Sequence, residues 1–74
     1  MTRFPSLSGE KIIKTLGKAG FEINRQRGSH VYLKHPDGRA TVVPVHKGES
    51  VGRGLMSKIL RDTDLSREEF LKLL

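Results

Sequence analysis

Two arginines, a glycine-centred turn and a histidine fall within six residues, Arg25-Gln26-Arg27-Gly28-Ser29-His30, just ahead of the run Val31-Tyr32-Leu33-Lys34. Histidine is the side chain whose ordinary pKa best suits it to give or take a proton near neutral pH. Arginine presents a planar fork of donors that matches the oxygens of a phosphate. Placed together at a turn, these groups suit a site that grips a phosphodiester and does acid–base work on it. The plainer reading of this segment alone is a basic hairpin with a surface histidine, so the rest of the chain must weigh between the two.

The chemistry open to such a site is cleavage of RNA without a metal. RNA carries its own nucleophile, the 2′-hydroxyl, which needs a base to take its proton and cations to steady the charged phosphorane. General acid–base help is typically worth about 10²–10⁴ in rate, and donors aimed at the developing charge add a comparable or larger factor. His30 can supply the base or acid, with Arg25, Arg27, Lys34 or Lys47 as charge stabilisers. DNA lacks the 2′-hydroxyl and would be a poor substrate for the same groups.

The other histidines do not extend this into a metal centre. His30 and His35 are five residues apart and point to opposite faces of a continuous strand. The chain has no cysteine, and no two of its three histidines have the helical spacing of metalloprotease ligands. No metal and no cofactor are therefore expected. His35 precedes the turn proline and reads as a strand-end residue. His46 closes the third strand before Lys47-Gly48, either beside the active face or as a strand cap. No serine or cysteine triad can be assembled. Gly52-Arg53-Gly54 near a helix start is only a weak phosphate-binding signal.

The charge distribution favours a nucleic-acid partner. Of the net +6, residues 1–47 carry all: nine Lys/Arg stand against three Asp/Glu, whereas residues 48–74 hold five of each. An excess confined to the half containing the histidine turn is the footprint of a polyanion-binding face; an acidic protein partner fits it too. At 74 residues the chain reads as one small domain, 1–74, near the lower limit for folding without staples. With no cysteine, no membrane-length apolar stretch and no signal-peptide pattern, the expected setting is the cytoplasm, with no membrane partner.

The elements that would position this site follow from periodicity and caps. Ser8 reads as an N-cap, with Leu7 stapled onto Ile12, for a helix over 8–19; its Ile12, Ile13, Leu16 and Ala19 form one apolar stripe that ends at Gly20. Phe21 to Asn24 alternates like a half-buried strand. Arg27-Gly28-Ser29 turns the chain into a second strand, 30–34. Val31 and Leu33 should face the helices there, and His30, Tyr32 and Lys34 the open side. Pro36-Asp37-Gly38 is a strong turn, and Thr41 to Val45 a third strand, with Pro44 placing it at an edge. Leu55, Met56, Ile59 and Leu60 predict a helix from about 53 to 61. Ser66 to Glu69 forms a capping box for a last helix whose Phe70, Leu71 and Leu74 close the core. The order α-β-β-β-α(-α) implies an α+β, two-layer domain: a three-stranded antiparallel sheet with helices on one face.

With these motifs in place, the chain resembles the HicA toxins, messenger-RNA interferases of HicA/HicB toxin–antitoxin systems. The likeness runs in order through Ser8-Gly9, Leu16, Gly20-Phe21, Arg27-Gly28-Ser29-His30, His35-Pro36-Asp37-Gly38 and Val43-Pro44-Val45-His46. It continues through Gly54, Lys58-Ile59-Leu60-Arg61 and the tail from Leu65-Ser66 to Leu74, so it spans nearly the whole chain from about residue 6. One departure is Leu55-Met56, where the family more often has threonine-leucine; a lost hydroxyl there could weaken a helix cap or a phosphate contact. The resemblance implies a fold similar to a double-stranded-RNA-binding domain and an endoribonuclease whose catalytic histidine is His30. It also implies a HicB-like antitoxin that covers that site. Arg25, Arg27, Ser29, Lys34, His46 and Lys47 are the candidate RNA-binding residues. The rival reading is a non-catalytic RNA-binding module, for which shape and phosphate contacts suffice without a titrating group.

Overall fold

Ser8 opens the first helix as expected, its side chain accepting the Lys11 backbone N–H at 3.1 Å. In the computed structural model, which describes residues 4–74, this helix is α1 (Gly9–Lys18). It ends at Gly20, whose φ of 98° is one that residues with a Cβ avoid. The strands are β1 (Glu22–Arg27), β2 (His30–Lys34) and β3 (Ala40–Pro44), followed by α2 (Arg53–Thr63) and α3 (Arg67–Leu73). The strands form one antiparallel sheet in the order β1-β2-β3, so the α+β class and the edge position of the Pro44 strand are both found.

The core lies between the sheet and the helices. Val31 and Leu33 of β2 and Val43 of β3 are buried against Ile12 and Leu16 of α1, Met56 and Ile59 of α2, and Phe70 of α3. Burying an aliphatic or aromatic side chain of this size contributes roughly 1.5–3 kcal/mol, so these few residues supply most of the driving force. The Ser66 capping box is present in full, with Ser66 accepting from the Glu69 N–H and the Glu69 carboxylate accepting from Ser66 N–H. Phe4 stacks on Phe70 at 5.7 Å between ring centroids, fixing the N-terminal segment against α3.

Three sequence expectations change. The strand expected to be half-buried, Phe21 to Asn24, is displaced. Phe21 is buried but precedes β1, and every residue of β1 is exposed, Ile23 at 60%. The reason is position: β1 is the sheet's outer strand, and the helices reach over β2 and β3 only. Leu74 is also 37% exposed, leaving Phe70 to close the core. Finally, α2 runs two residues past the expected end, to Thr63. Thr63 is fully buried, and its hydroxyl donates to the Ile59 carbonyl. The left-handed Asp64 then stops the helix. At the start of α2, Gly52 is the N-cap and no side chain caps the helix, while Leu55 stands three residues inside it.

The β2–β3 turn is anchored to the end of α2. Arg39 pairs with Asp37, donates to the Thr63 carbonyl and lies over the Phe21 ring at 5.1 Å. The Arg39 backbone N–H, and then its guanidinium, hold the Asp37 carboxyl below the usual aspartate range. At the other end of the sheet, the Val51 N–H donates to the Leu7 carbonyl and Ser50 bridges to Ser8, tying loop 46–52 to the start of α1.

Candidate nucleic-acid interface

The hairpin that carries the site is as short as its sequence suggests. Arg27 pairs directly with His30, leaving Gly28-Ser29 as a two-residue loop. Gly28 takes a φ of 57°, the positive value such tight hairpin turns require at this position. The Ser29 carbonyl accepts the Val45 N–H at 2.6 Å, so the loop is pinned to the chain leaving β3.

On β2 the alternation is as predicted. Val31 and Leu33 are buried, Tyr32 is half-buried and His30 and Lys34 are exposed. Pairing carries this face into β3, where Pro44 lies opposite His30, Val42 opposite Tyr32 and Ala40 opposite Lys34.

The arrangement of β1 is the feature the sequence hid. Counting by twos from Ile23 sends Arg25 and Arg27 to the helix side, away from His30. The register instead breaks: Ile23 pairs with Leu33 but Arg25 with Tyr32, making Asn24 an extra residue. This β-bulge reverses the alternation beyond it. Arg25 therefore shares a face with Tyr32, and Arg27 with His30. The Arg25 guanidinium lies over the Tyr32 ring, 4.8 Å from its centroid. A signal for the bulge did exist: uninterrupted alternation would have put two arginines in line with Phe21 and Ile23.

Four of the predicted residues, Arg25, Arg27, His30 and Lys34, thus meet on the open face. Lys34 has Glu22 as its cross-strand neighbour, which offsets part of its charge. Ser29 sits half-buried at the hairpin tip. His46 is exposed two residues beyond the end of β3. Lys47 is exposed in the following turn, where the His46 carbonyl accepts the Glu49 N–H. His35 has a different part. It packs edge-on against Phe21 at 5.1 Å, its Nδ1 accepts the Asp37 N–H, and its ring lies where a Cβ on Gly20 would be. Tyr32, placed on this face by alternation but assigned no part in binding, emerges as the centre of the cluster.

The face offers an imidazole, flanking cations and the phenol ring of Tyr32. Among the described residues no group of three His, Asp or Glu side chains could hold a metal ion, and no helix is long and apolar enough to cross a membrane. A family model described as the HicA toxin of bacterial toxin–antitoxin matches residues 9–65, from the first residue of α1 to just beyond α2. The match includes the whole sheet and the His30 hairpin. No curated protein matches the chain.

Proposed function

Because the chain belongs to the HicA toxin family of bacterial toxin–antitoxin systems, we propose that it cleaves messenger RNA as a metal-independent endoribonuclease with His30 as general acid or base. The observation that carries this reading is the bulge at Asn24, which turns Arg25 and Arg27 onto the face where His30 stands exposed. Directly opposed side chains on an antiparallel pair have Cβ atoms about 4.5–5.5 Å apart, so a phosphate can touch the Arg27 fork and the His30 ring together. In the step itself, the 2′-oxygen bonds to phosphorus and the P–O5′ bond breaks. His30 takes the 2′-hydroxyl proton or delivers one to the leaving 5′-oxygen, while Arg27 and Arg25 balance the charge on the phosphorane. Lys34, His46, Lys47 and Ser29 hold the neighbouring backbone.

The toxin's partner in this reading is a HicB-like antitoxin, and both act in the cytoplasm. A basic, exposed face invites an inhibitor that presents acidic or polar groups to it, and covering His30 would exclude RNA.

The test is incubation of the purified protein with a long RNA, with and without chelator, beside His30→Ala. His30 is exposed, so its truncation leaves no core cavity and the melting temperature should hold. Cleavage should fall by about 10²–10⁴, the usual worth of a general acid–base group. A folded His30→Ala that cleaves at the wild-type rate would refute the assignment. Activity lost in chelator and restored by one divalent metal would refute the metal-free mechanism. RNA bound but left intact by the wild type would favour the non-catalytic module.

A further inference from the structure

Beside the His30 imidazole the open face carries a phenol ring, Tyr32, and its setting is unlike that of a packing residue. The ring is on the side of the sheet that no helix covers, between Val42 of β3 and Arg25 of β1. A planar guanidinium already lies across it at 4.8 Å. We infer that Tyr32 is a stacking platform for one unpaired nucleobase, which makes single-stranded RNA the substrate class of this face. The inference deepens the ribonuclease reading and rests on it for the identity of the polymer.

Three features support stacking over simple phosphate contact. The first is the occupied ring face: the Arg25 guanidinium is flat, cationic and π-bearing, the kind of group that shares a binding mode with a base. Exposed side chains change rotamer within nanoseconds, so Arg25 can yield the ring to a base and turn to a phosphate. The second is distance. Tyr32 is two residues along β2 from His30 and on the same face, about 6.6 Å at the usual strand rise. A base on the ring therefore keeps its own sugar and phosphate near His30 and Arg27. The third is what a duplex could not use. Paired bases are stacked on one another, and a protein meets their edges, sugars and phosphates, whereas stacking on aromatic rings belongs to unpaired bases. On a duplex the cations of this face would bind and the ring would gain nothing.

The composition provides its own probe. Tyr32 is the one tyrosine and the chain has no tryptophan, so intrinsic tyrosine fluorescence reports on this ring alone. The experiment titrates His30→Ala protein with a short single-stranded RNA, the same sequence as a duplex, and a single strand whose bases are replaced by abasic sites. Quenching is expected with the single strand and not with the duplex or the abasic strand. Tyr32→Ala should weaken single-strand binding about 5- to 150-fold, the range alanine substitution gives for one stacked base, and leave duplex binding where it was. Tyr32→Phe should bind like the parent. Single-strand binding without quenching, or equal quenching by the duplex, would overturn the inference, and the quenching arm needs no change to the ring. Gel analysis of the RNA afterwards judges the underlying reading separately. RNA cut by His30→Ala would remove His30 as the catalytic group while the stacking result stood. Failure of every RNA to bind would overturn both.

Discussion

Alanine at Gly9 and alanine at Gly17 are the same change in the same helix, and they should move stability in opposite directions. Replacing a helical glycine with alanine ordinarily gains about 0.5–1 kcal/mol, because glycine loses more backbone freedom on folding. At Gly17 a new Cβ meets nothing within 4 Å, so that gain should appear. Gly9 is buried where α1 abuts the end of β3. Its Cβ would fall far inside contact distance of the Pro44 carbonyl oxygen, 3.1 Å from the Pro44 carbonyl carbon and 3.3 Å from the Val45 Cα. All three are backbone atoms, so no rotamer change relieves the clash and the helix must lift from the sheet. Overpacking of this kind typically costs about 1–3 kcal/mol, and set against the propensity gain of about 0.5–1 kcal/mol it leaves a net loss of up to about 2.5 kcal/mol. For a domain of this size each kcal/mol shifts Tm by roughly 4–8 °C. Thermal and urea unfolding followed by circular dichroism would measure both variants. A Gly9→Ala protein that melts at or above the parent would refute the contact between α1 and β3. The contact also bears on the site, since Pro44 is the cross-strand partner of His30. RNA cleavage by Gly9→Ala should therefore fall even at temperatures where the fold survives.

Two further outcomes follow from the charge on the open face. Arg27→Ala should make the plot of log affinity against log salt shallower by about 0.7, the share of one phosphate contact on a single strand. Sequence preference should be unchanged, and an affinity flat from low to high salt would defeat the electrostatic account. RNA and the cognate antitoxin should compete for one surface, with Arg25→Glu/Arg27→Glu slowing antitoxin association more than it speeds release. A ternary complex holding both at full affinity, seen in a competition titration, would contradict masking of His30.

Much of the fold could be read from local signals because those signals act locally. The Ser8 cap, the capping box at Ser66, the turn at Pro36-Asp37-Gly38 and the alternation of Val31 and Leu33 each depend on neighbours within a few residues, and each is found. The setting of β1 depends on something else, namely how far the helices reach across the sheet. Ile23 reads as a core residue in its own segment and is exposed because nothing lies over it. For the candidate site, the sequence offered the residues around His30 but not their meeting on one face. That meeting depends on Asn24 having no partner on β2, a property of the pairing between two strands and of neither alone. The contact of Tyr32 with Arg25 was hidden for the same reason, since it exists only after the register shift.

The bulge has a second consequence, for how copies of this chain behave when crowded together. In the order β1-β2-β3, β1 and β3 each have one side unpaired within the sheet, and free strand edges are templates on which other chains can add strands. β3 ends in Pro44, which has no N–H to offer. β1 carries Glu22, Arg25 and Arg27 together with the irregular step at Asn24, and charge and irregular pairing both discourage the addition of a neighbouring strand. The register shift that turns the arginines toward His30 thus also helps keep the outer strand solitary, so that a sheet left bare on one face and open along its edge can remain dispersed.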